Sequence, residues 1–252
     1  MQDPIVTAAL VTFAFLLAGF VKGVVGMGLP IVAIGVLGLV MAPVQAAALL
    51  VVPSLVTNVW QYFAGPDAGR IARRFATLLV AACVGTGLGI GLLTGGATAL
   101  ASAALGAVLA AYGAIGLLAV RLSVAPRLER WLSPVVGVVT GLLAGATGVF
   151  AIPAVPYFGA LGLAKDEMIQ TLGLHFTVCT VALAVALWLH DRFPSSIAMG
   201  SLFALVPALV GMLLGQRLRN RLQPEVFRRW FCVALVVLGA FMVLRALVRG
   251  AG

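Results

Sequence analysis

The sequence predicts an all-α polytopic membrane protein. It is expected to consist of two inverted repeats, each starting with a broken helix or re-entrant hairpin followed by three transmembrane helices. Three observations lead to this prediction. Of the 252 residues, 63% are hydrophobic and only 9% are charged, with a mean hydropathy of +1.18. The few charges leave long uncharged runs between them. A glycine-rich pattern occurs twice, at corresponding places in the two halves.

The uncharged runs predict the membrane-spanning helices. Such a helix needs roughly 20 mainly apolar residues, and most of the runs approach or exceed that length. They cover residues 4–21, 23–66, 75–120, 133–163, 168–189, 193–216 and 230–244. The net charge of +9 could suggest nucleic-acid binding, but the basic residues collect in short loops, as cytoplasmic loops of membrane proteins do.

The two glycine-rich segments divide the chain into halves. The first reads "GFVKGVVGMGLP" and ends at Pro30, and the second reads "GLLAGATGVFAIP" and ends at Pro153. Each is followed by a short apolar piece, a longer helix, a loop and two more helices. We therefore predict a first transmembrane repeat over residues 1–123, and a linker with the second, inverted repeat over 124–252.

Loop charge predicts the orientation of these halves. Three loops are rich in arginine and are expected in the cytoplasm: residues 65–74, 121–131 and 217–229. Three connections carry no charge or nearly balanced charge, and are expected outside or at shallow depth: residues 95–96, 165–167 and 190–192. Between two cytoplasmic loops the chain crosses an even number of times. The segment 133–163 must then contribute zero or two crossings, as a re-entrant hairpin or as two short half-helices, and the same holds for 5–41.

The glycine-rich segments are expected to interrupt helices and to form the functional site. Bare backbone at membrane depth is tolerated only when it is buried in protein or lines a watery cavity, and paired breaks indicate a transport site. The N–H groups at a helix start bind anions. The second helix of each pair is expected to begin near residues 28–31 and 150–153, with both starts pointing at one anion. The candidate substrate-binding residues of the breaks are Gly26, Gly28, Pro30, Thr147, Gly148 and Pro153.

An alternative role for these glycines is close helix packing, because small residues four positions apart let helix backbones approach each other. Gly19–Gly23 and Gly141–Gly145, at the start of the two segments, have this spacing. Three further pairs lie outside the segments and are assigned to packing alone: Gly85–Gly89, Gly87–Gly91 and Gly211–Gly215.

Four polar side chains inside the apolar runs complete the candidate substrate-binding set. Lys22 would supply a countercharge to an anion, or would snorkel to the surface from a helix end. His175 would hydrogen-bond the substrate, carry a proton, or join two helices. Asn58 and Gln61 lie on one helix face and would line the path or lie at the membrane interface.

The acidic residues and the cysteines limit the chemistry. All seven Asp and Glu residues fall in loops or termini, which disfavours a carboxylate proton relay or sodium site. Protons, if they are the coupling ion, would use His175, Lys22, loop acids or the substrate. The three cysteines lack metal-ligand spacing, so no metal or cofactor is predicted. An enzyme is disfavoured because the spans offer one histidine and no acid to serve as base or nucleophile.

The motifs extend beyond the glycines. They read "GFVKGVVGMGLPIVAIGVLGL" and "GLLAGATGVFAIPAVPYFGALGL", and helices beginning near "PVQAAALLVVPSLVTNVWQ" and "KDEMIQTLGLHFTVCTVAL" follow them. Over nearly the whole chain this pattern resembles the TauE/SafE family of sulfite exporters. The sequence departs from the family pattern at "GMGLP" and at Val149-Phe150, where members often carry more glycines.

The resemblance implies a multi-pass protein of the bacterial inner membrane that moves sulfur-containing anions such as sulfite or organosulfonates. The expected function is a secondary transporter that exports such an anion by alternating access. A small-anion channel, and uptake rather than export of an organosulfur anion, stay open as alternatives, as does a homo-oligomer.

Overall fold

The computed structural model describes residues 4–118, 123–219 and 224–250. The start of the predicted linker, including Arg121, lies outside the described residues, as does part of the third basic loop. Within the described ranges the regular structure consists of eleven α-helices. These are α1 (Pro4–Val25), α2 (Leu29–Leu37), α3 (Pro43–Phe63), α4 (Ala68–Arg74), α5 (Ala76–Thr94), α6 (Thr98–Leu118), α7 (Pro126–Thr147), α8 (Ala154–Ala160), α9 (Lys165–Leu189), α10 (Ser195–Leu218) and α11 (Pro224–Gly250).

Seven helices of the described chain are long and apolar enough to cross a membrane: α1, α3, α5, α6, α9, α10 and α11. The predicted class of all-α polytopic membrane protein is therefore confirmed. Each half contains a long helix and a short one, α1 and α2 or α7 and α8, followed by three of the candidate spans. α7 has 22 residues like α1, but it starts with the charged sequence PRLERW.

α1 packs along α10 through small residues. The carbonyl oxygens of Leu16 and Phe20 lie so close to Gly211 and Gly215 that a Cβ on either glycine would overlap with them. The prediction that Gly211–Gly215 serves packing is confirmed. Because residue numbers rise together along the contact, α1 and α10 run parallel.

α7 makes the corresponding parallel contact with α5. The carbonyl oxygens of Val138 and Leu142 lie against Gly85 and Gly89, where they leave no room for a Cβ. Gly85–Gly89 thus serves packing as predicted. The same prediction for Gly87–Gly91 is wrong, because a Cβ on either glycine would meet no atom of another element. Residues two apart on a helix point in nearly opposite directions, so only one of the two pairs faces α7.

α3 and α9 cross antiparallel between these two pairs. The Gln61 Nε2 atom, near the end of α3, donates to the Ile169 carbonyl oxygen at the start of α9 over 2.8 Å. Further along the contact, Ser54 Oγ lies 3.0 Å from Thr180 Oγ1. Corresponding helices of the two halves therefore run in opposite directions. An inverted repeat requires this relation, and the inversion stays our interpretation of it.

The two ends of the helix bundle differ in their charges. We call the end with α4 and the starts of α7 and α9 the arginine face. There Arg74 donates to both carboxylate oxygens of Glu129, over 2.7 and 3.0 Å, and to Glu167 over 3.1 Å. The hydrogen bonds that Arg74 donates to Glu129 raise the pKa of Arg74. We call the opposite end, with the Gly95–Gly96 turn, the turn face; there Arg192 donates to the Thr94 carbonyl oxygen over 3.0 Å.

For residues 165–167, the expectation that they lie outside, opposite the basic loops, is wrong, whereas the alternative of a shallow depth stays a prediction. Glu167 lies on the arginine face, where it is also 3.2 Å from Arg70. The nearly balanced charge of this connection does not indicate its side of the bundle, because Glu167 pairs with arginines of another element. Acidic residues at the start of α9 also suit the positive end of that helix.

Each long–short helix pair returns to the face where it began. In the second half, the Tyr157 hydroxyl in α8 donates to the Glu129 carbonyl oxygen near the start of α7 over 3.1 Å. In the first half, α1 runs parallel to α10 from the turn face, and residues 38–43 after α2 lie beside Thr98 on that same face. The alternative of two short half-helices is wrong, because α1 and α7 each have 22 residues.

Candidate functional site

The first break separates α1 from α2 at residues 26–28. Gly26 and Gly28 have φ angles of +84° and +106°, a backbone conformation that favours glycine because a Cβ would be strained there. Pro30 lies in the first turn of α2, where its missing N–H costs nothing. Gly28 and Pro30 are buried. These three candidate residues thus shape the break.

Several backbone donors of the first break have no protein partner. The first bond of α2 runs from the Val32 N–H to the Gly28 carbonyl oxygen over 3.0 Å. The N–H groups of Met27, Gly28, Leu29 and Ile31 have no acceptor within the described ranges. Unpaired N–H groups away from bulk water are costly. They are therefore available to donate to water or to an anion.

Lys22 lies in the last turn of α1 and starts a polar chain that crosses three helices. Its Nζ atom donates to Thr57 Oγ1 over 3.1 Å and to Asn58 Oδ1. The Asn58 side chain donates to Ser54 Oγ over 2.9 Å, and Ser54 Oγ lies within hydrogen-bonding distance of Thr180 Oγ1. We call these five residues of α1, α3 and α9 the Lys22 network.

The burial of Lys22 decides between its two predicted roles. The residue is only 4% exposed, so the snorkelling alternative is wrong. Its hydrogen-bond partners are neutral, and Lys22 takes part in none of the ion pairs formed by described residues. Burying an ammonium group without a countercharge costs several kcal/mol. An anion bound at Nζ would offset that cost.

The second break separates α7 from α8. Gly148 ends α7 with a φ angle of +76°, and a Cβ there would lie 2.6 Å from Ile34 Cδ1 of α2. Thr147 is buried and its hydroxyl serves the local backbone: it donates to the Leu143 carbonyl oxygen over 2.6 Å and accepts from the Val149 N–H over 3.2 Å. Thr147 and Gly148 therefore shape the break and seat it against α2.

α8 differs from the predicted anion-binding helix start. It has only seven residues, and Pro153 precedes it as the N-cap instead of lying in its first turn. Neither Pro153 nor Pro156 carries an N–H, so the start of α8 offers few donors. The N–H groups of Ala151 and Ile152 do lack an acceptor among residues with described positions. The free donors of the second break thus lie in its extended segment.

His175 is fully buried and holds this segment in place. Its Nε2 atom lies 3.0 Å from the Phe150 carbonyl oxygen, which can only accept, so Nε2 carries the hydrogen. The Cys179 sulfur lies 3.7 Å from the same nitrogen, and the ring packs edge-on against Phe158. The predicted helix–helix role of His175 thus takes the form of a contact between α9 and the break. Its contact with substrate stays a prediction.

The structure brings some candidates together and separates others. Lys22 and Asn58 meet in the Lys22 network, whereas Gln61 is half-buried and bonds the backbone of α9. Ser54 is a network member that the sequence did not indicate, although it lies one helical turn before Asn58. Gln170 was also missed: it is buried and donates to the Tyr62 and Gly65 carbonyl oxygens over 2.8 and 2.9 Å.

A comparison with known families identifies the family of the chain. Residues 11–242 match the family model described as Sulfite exporter TauE/SafE. The matched range includes both breaks, the Lys22 network and His175. A search of curated proteins and a search of solved structures found no match. Given a match over nearly the whole chain and an all-helical fold with seven candidate spans, the chain belongs to the sulfite exporter TauE/SafE family of anion transporters.

Proposed function

We propose that the protein is a secondary transporter that exports sulfite, or a related small sulfur-containing anion such as an organosulfonate, across the bacterial inner membrane by alternating access. The anion is held by Lys22 and by free backbone N–H groups of the helix breaks. The single observation that carries this proposal is the burial of Lys22 among neutral partners.

The chemistry of the anion suits these donors. Sulfite and sulfonates carry negative charge on several oxygens, and each oxygen accepts hydrogen bonds from N–H groups and from an ammonium group. Met27, Gly28 and Leu29 offer such N–H groups within seven residues of Lys22 along the chain. The second break contributes Ala151 and Ile152. It contacts α2 through Gly148 and α9 through His175, and α9 also contributes to the Lys22 network.

The packing of helices from one half on helices of the other half supports alternating access. Transporters of this kind rock one repeat against the other around a fixed site. Here the long–short helix pair of one half packs on a helix of the other half, α1 on α10 and α7 on α5. Ion pairs from Arg74 link the two halves on the arginine face. Opening that face requires these pairs to break.

Flux of radiolabelled sulfite into proteoliposomes tests the proposal. The intact protein is expected to give saturable flux that unlabelled sulfite competes for. Flux that rises linearly with concentration and follows voltage would indicate the channel alternative instead. Efflux compared with influx in oriented vesicles distinguishes export from uptake. An absence of any sulfite or sulfonate flux would contradict the proposal.

Lys22→Met tests the role of the charge. The thioether side chain keeps most of the buried volume but removes the ammonium group, so we expect flux to fall at least tenfold while the melting temperature is maintained or rises. Wild-type flux in the folded Lys22→Met variant would remove Lys22 from the site.

A further inference from the structure

A cleft opens on the turn face, at the far end of α2 from the first break. Its volume is about 420 Å³, and we call it the Arg245 cleft. One wall is the segment 38–43 after α2, and the others come from the start of α6 and the end of α11. The nine residues of α2 place it about 13 Å along that helix from the break. The Arg245 cleft is therefore separate from the Lys22 network.

Arg245 gives the cleft its charge. The residue is half-buried, and its Nη1 atom donates to the Leu39 carbonyl oxygen over 2.8 Å. A guanidinium group has five N–H donors, and its other donors have no partner in the part of the chain that the structure describes. The described residues that line the cleft include no Asp or Glu. The cleft thus presents one positive charge with unused donors.

Two hydroxyl groups add to these donors. Thr98 and Ser102 line the cleft on the first turn and a half of α6. Neither side-chain hydroxyl has a hydrogen-bond partner among the described side chains and backbone. A planar guanidinium group binds the oxygens of an oxyanion in pairs, and hydroxyl groups on a neighbouring wall would bind the remaining oxygens.

We propose that the Arg245 cleft binds a small oxyanion group at the membrane surface. The group is either a free inorganic or sulfur oxyanion, or the phosphate of an anionic lipid headgroup. The alternative is that Arg245 serves only to bond the backbone after α2. In that case no anion would bind in the cleft. Arg192 provides the comparison: it also donates to a backbone carbonyl oxygen on the turn face, but it does not line the cleft.

Thiol labelling at Ala99, an exposed residue of the cleft wall, tests the proposal. Ala99→Cys is made in a Cys83→Ser background and labelled in detergent with a sulfonate-bearing methanethiosulfonate reagent and with a neutral one. We expect sulfate to slow labelling, and Arg245→Gln to abolish this protection. Arg245→Gln should also slow the sulfonate reagent several-fold relative to the neutral reagent. Arg192→Gln, the matched control, should behave like the parent.

The same variants in phosphatidylcholine vesicles, with and without phosphatidylglycerol, distinguish the sources of the oxyanion. Protection by sulfate indicates a free anion. Protection by phosphatidylglycerol but not by sulfate indicates a lipid headgroup. The proposal is overturned if labelling responds to neither, or if the response persists in Arg245→Gln. Ala246→Cys, on the wall formed by α11, repeats the measurement should Ala99→Cys fail to fold.

Discussion

Lys22 and His175 are both buried polar residues in apolar helices, yet their partners differ in kind. Lys22 bonds neutral side chains that leave its charge uncompensated, whereas His175 bonds a backbone carbonyl oxygen of the second break. The first arrangement supports the proposed anion at Lys22. The second holds the break in place through its Nε2 atom, and contact of His175 with substrate stays a prediction.

Asn58→Asp tests whether Lys22 is the countercharge for an anion, by adding a carboxylate beside Lys22 instead of removing the lysine. The new carboxylate has nearly the shape of the amide and would pair with Lys22 Nζ, so it would compete with an anion for the same charge. We expect the variant to fold, with its sulfite-dependent rise in melting temperature lost and its flux reduced at least tenfold. The measurements are thermal unfolding with and without sulfite, and proteoliposome flux.

Gln61→Glu is the control for this variant. It places a carboxylate one turn further along α3, where the side chain does not contact Lys22, and it removes the hydrogen bond that Gln61 Nε2 donates to the Ile169 carbonyl oxygen. Its sulfite-dependent shift should persist. Equal loss in both variants would show that any new acid on α3 disrupts transport, and the countercharge argument would fail.

Sequence alone could indicate part of this network. Lys22 and Asn58 stand out because a charge and an amide are unusual in apolar runs. Ser54 and Thr180 do not stand out, because hydroxyl side chains in membrane helices commonly bond their own backbone. Their mutual contact joins residues 126 positions apart, and no local pattern predicts such a pairing without the fold.

At the scale of elements, glycine position decides which helices can approach. The spacing of four residues correctly predicted that glycines of α5 and α10 pack against another helix. It could not distinguish the packed pair Gly85–Gly89 from the unpacked pair Gly87–Gly91. Both pairs have the same spacing on the same helix, and only the direction of α7 distinguishes them. The start of α2 at Leu29 fell within the predicted range. The length of α8 was not predictable, because the non-helical segment that precedes it is as apolar as a helix.

Gly89→Ala and Gly87→Ala form a matched pair that tests this packing. A Cβ at Gly89 would overlap with the Leu142 carbonyl oxygen, so α5 and α7 must separate, whereas a Cβ at Gly87 meets no other element. We expect Gly89→Ala to lower the free energy of unfolding by about 1–3 kcal/mol, as overpacking does, and Gly87→Ala to leave it unchanged or raise it slightly, because alanine favours a helix more than glycine does. Chemical denaturation of the purified protein provides the measurement; similar effects of the two substitutions would contradict the assigned contact.

At the scale of the whole molecule, Arg74 connects elements from both halves. Its side chain is 31% exposed and pairs with Glu129 at the start of α7 and Glu167 at the start of α9. Exposed ion pairs usually contribute about 0–1 kcal/mol, but a guanidinium group shared by two carboxylates has a more constrained geometry. We therefore expect Arg74 to hold the arginine face closed.

Hydrogen exchange of Arg74→Gln tests this expectation. Backbone amides in the second turns of α7 and α9 should exchange faster in the variant than in the parent, because both helix starts lose their partner. Arg70→Gln should have a smaller effect, since the Arg70 side chain is 56% exposed and pairs more loosely. Unchanged exchange in Arg74→Gln would mean that the face is closed by packing alone.

The charge asymmetry between the two faces predicts the orientation of the molecule. Basic residues dominate the arginine face, which should therefore be cytoplasmic. Two exposed residues suit thiol labelling: Gly69 on the arginine face and Ala97 on the turn face. Each is replaced by cysteine in a Cys83→Ser background. A membrane-impermeant thiol reagent added outside intact cells should label Ala97→Cys only. The reverse pattern would invert the assignment.

Because both long–short helix pairs double back, we expect six of the described helices to carry the chain across the membrane: α3, α5, α6, α9, α10 and α11. α11 runs antiparallel to α6 and so ends near the turn face, where α1 begins. A reporter enzyme fused ahead of residue 4 and another fused behind residue 250 would therefore become active in the same compartment. If each of the seven apolar helices crossed the membrane once, the two fusions would lie in opposite compartments.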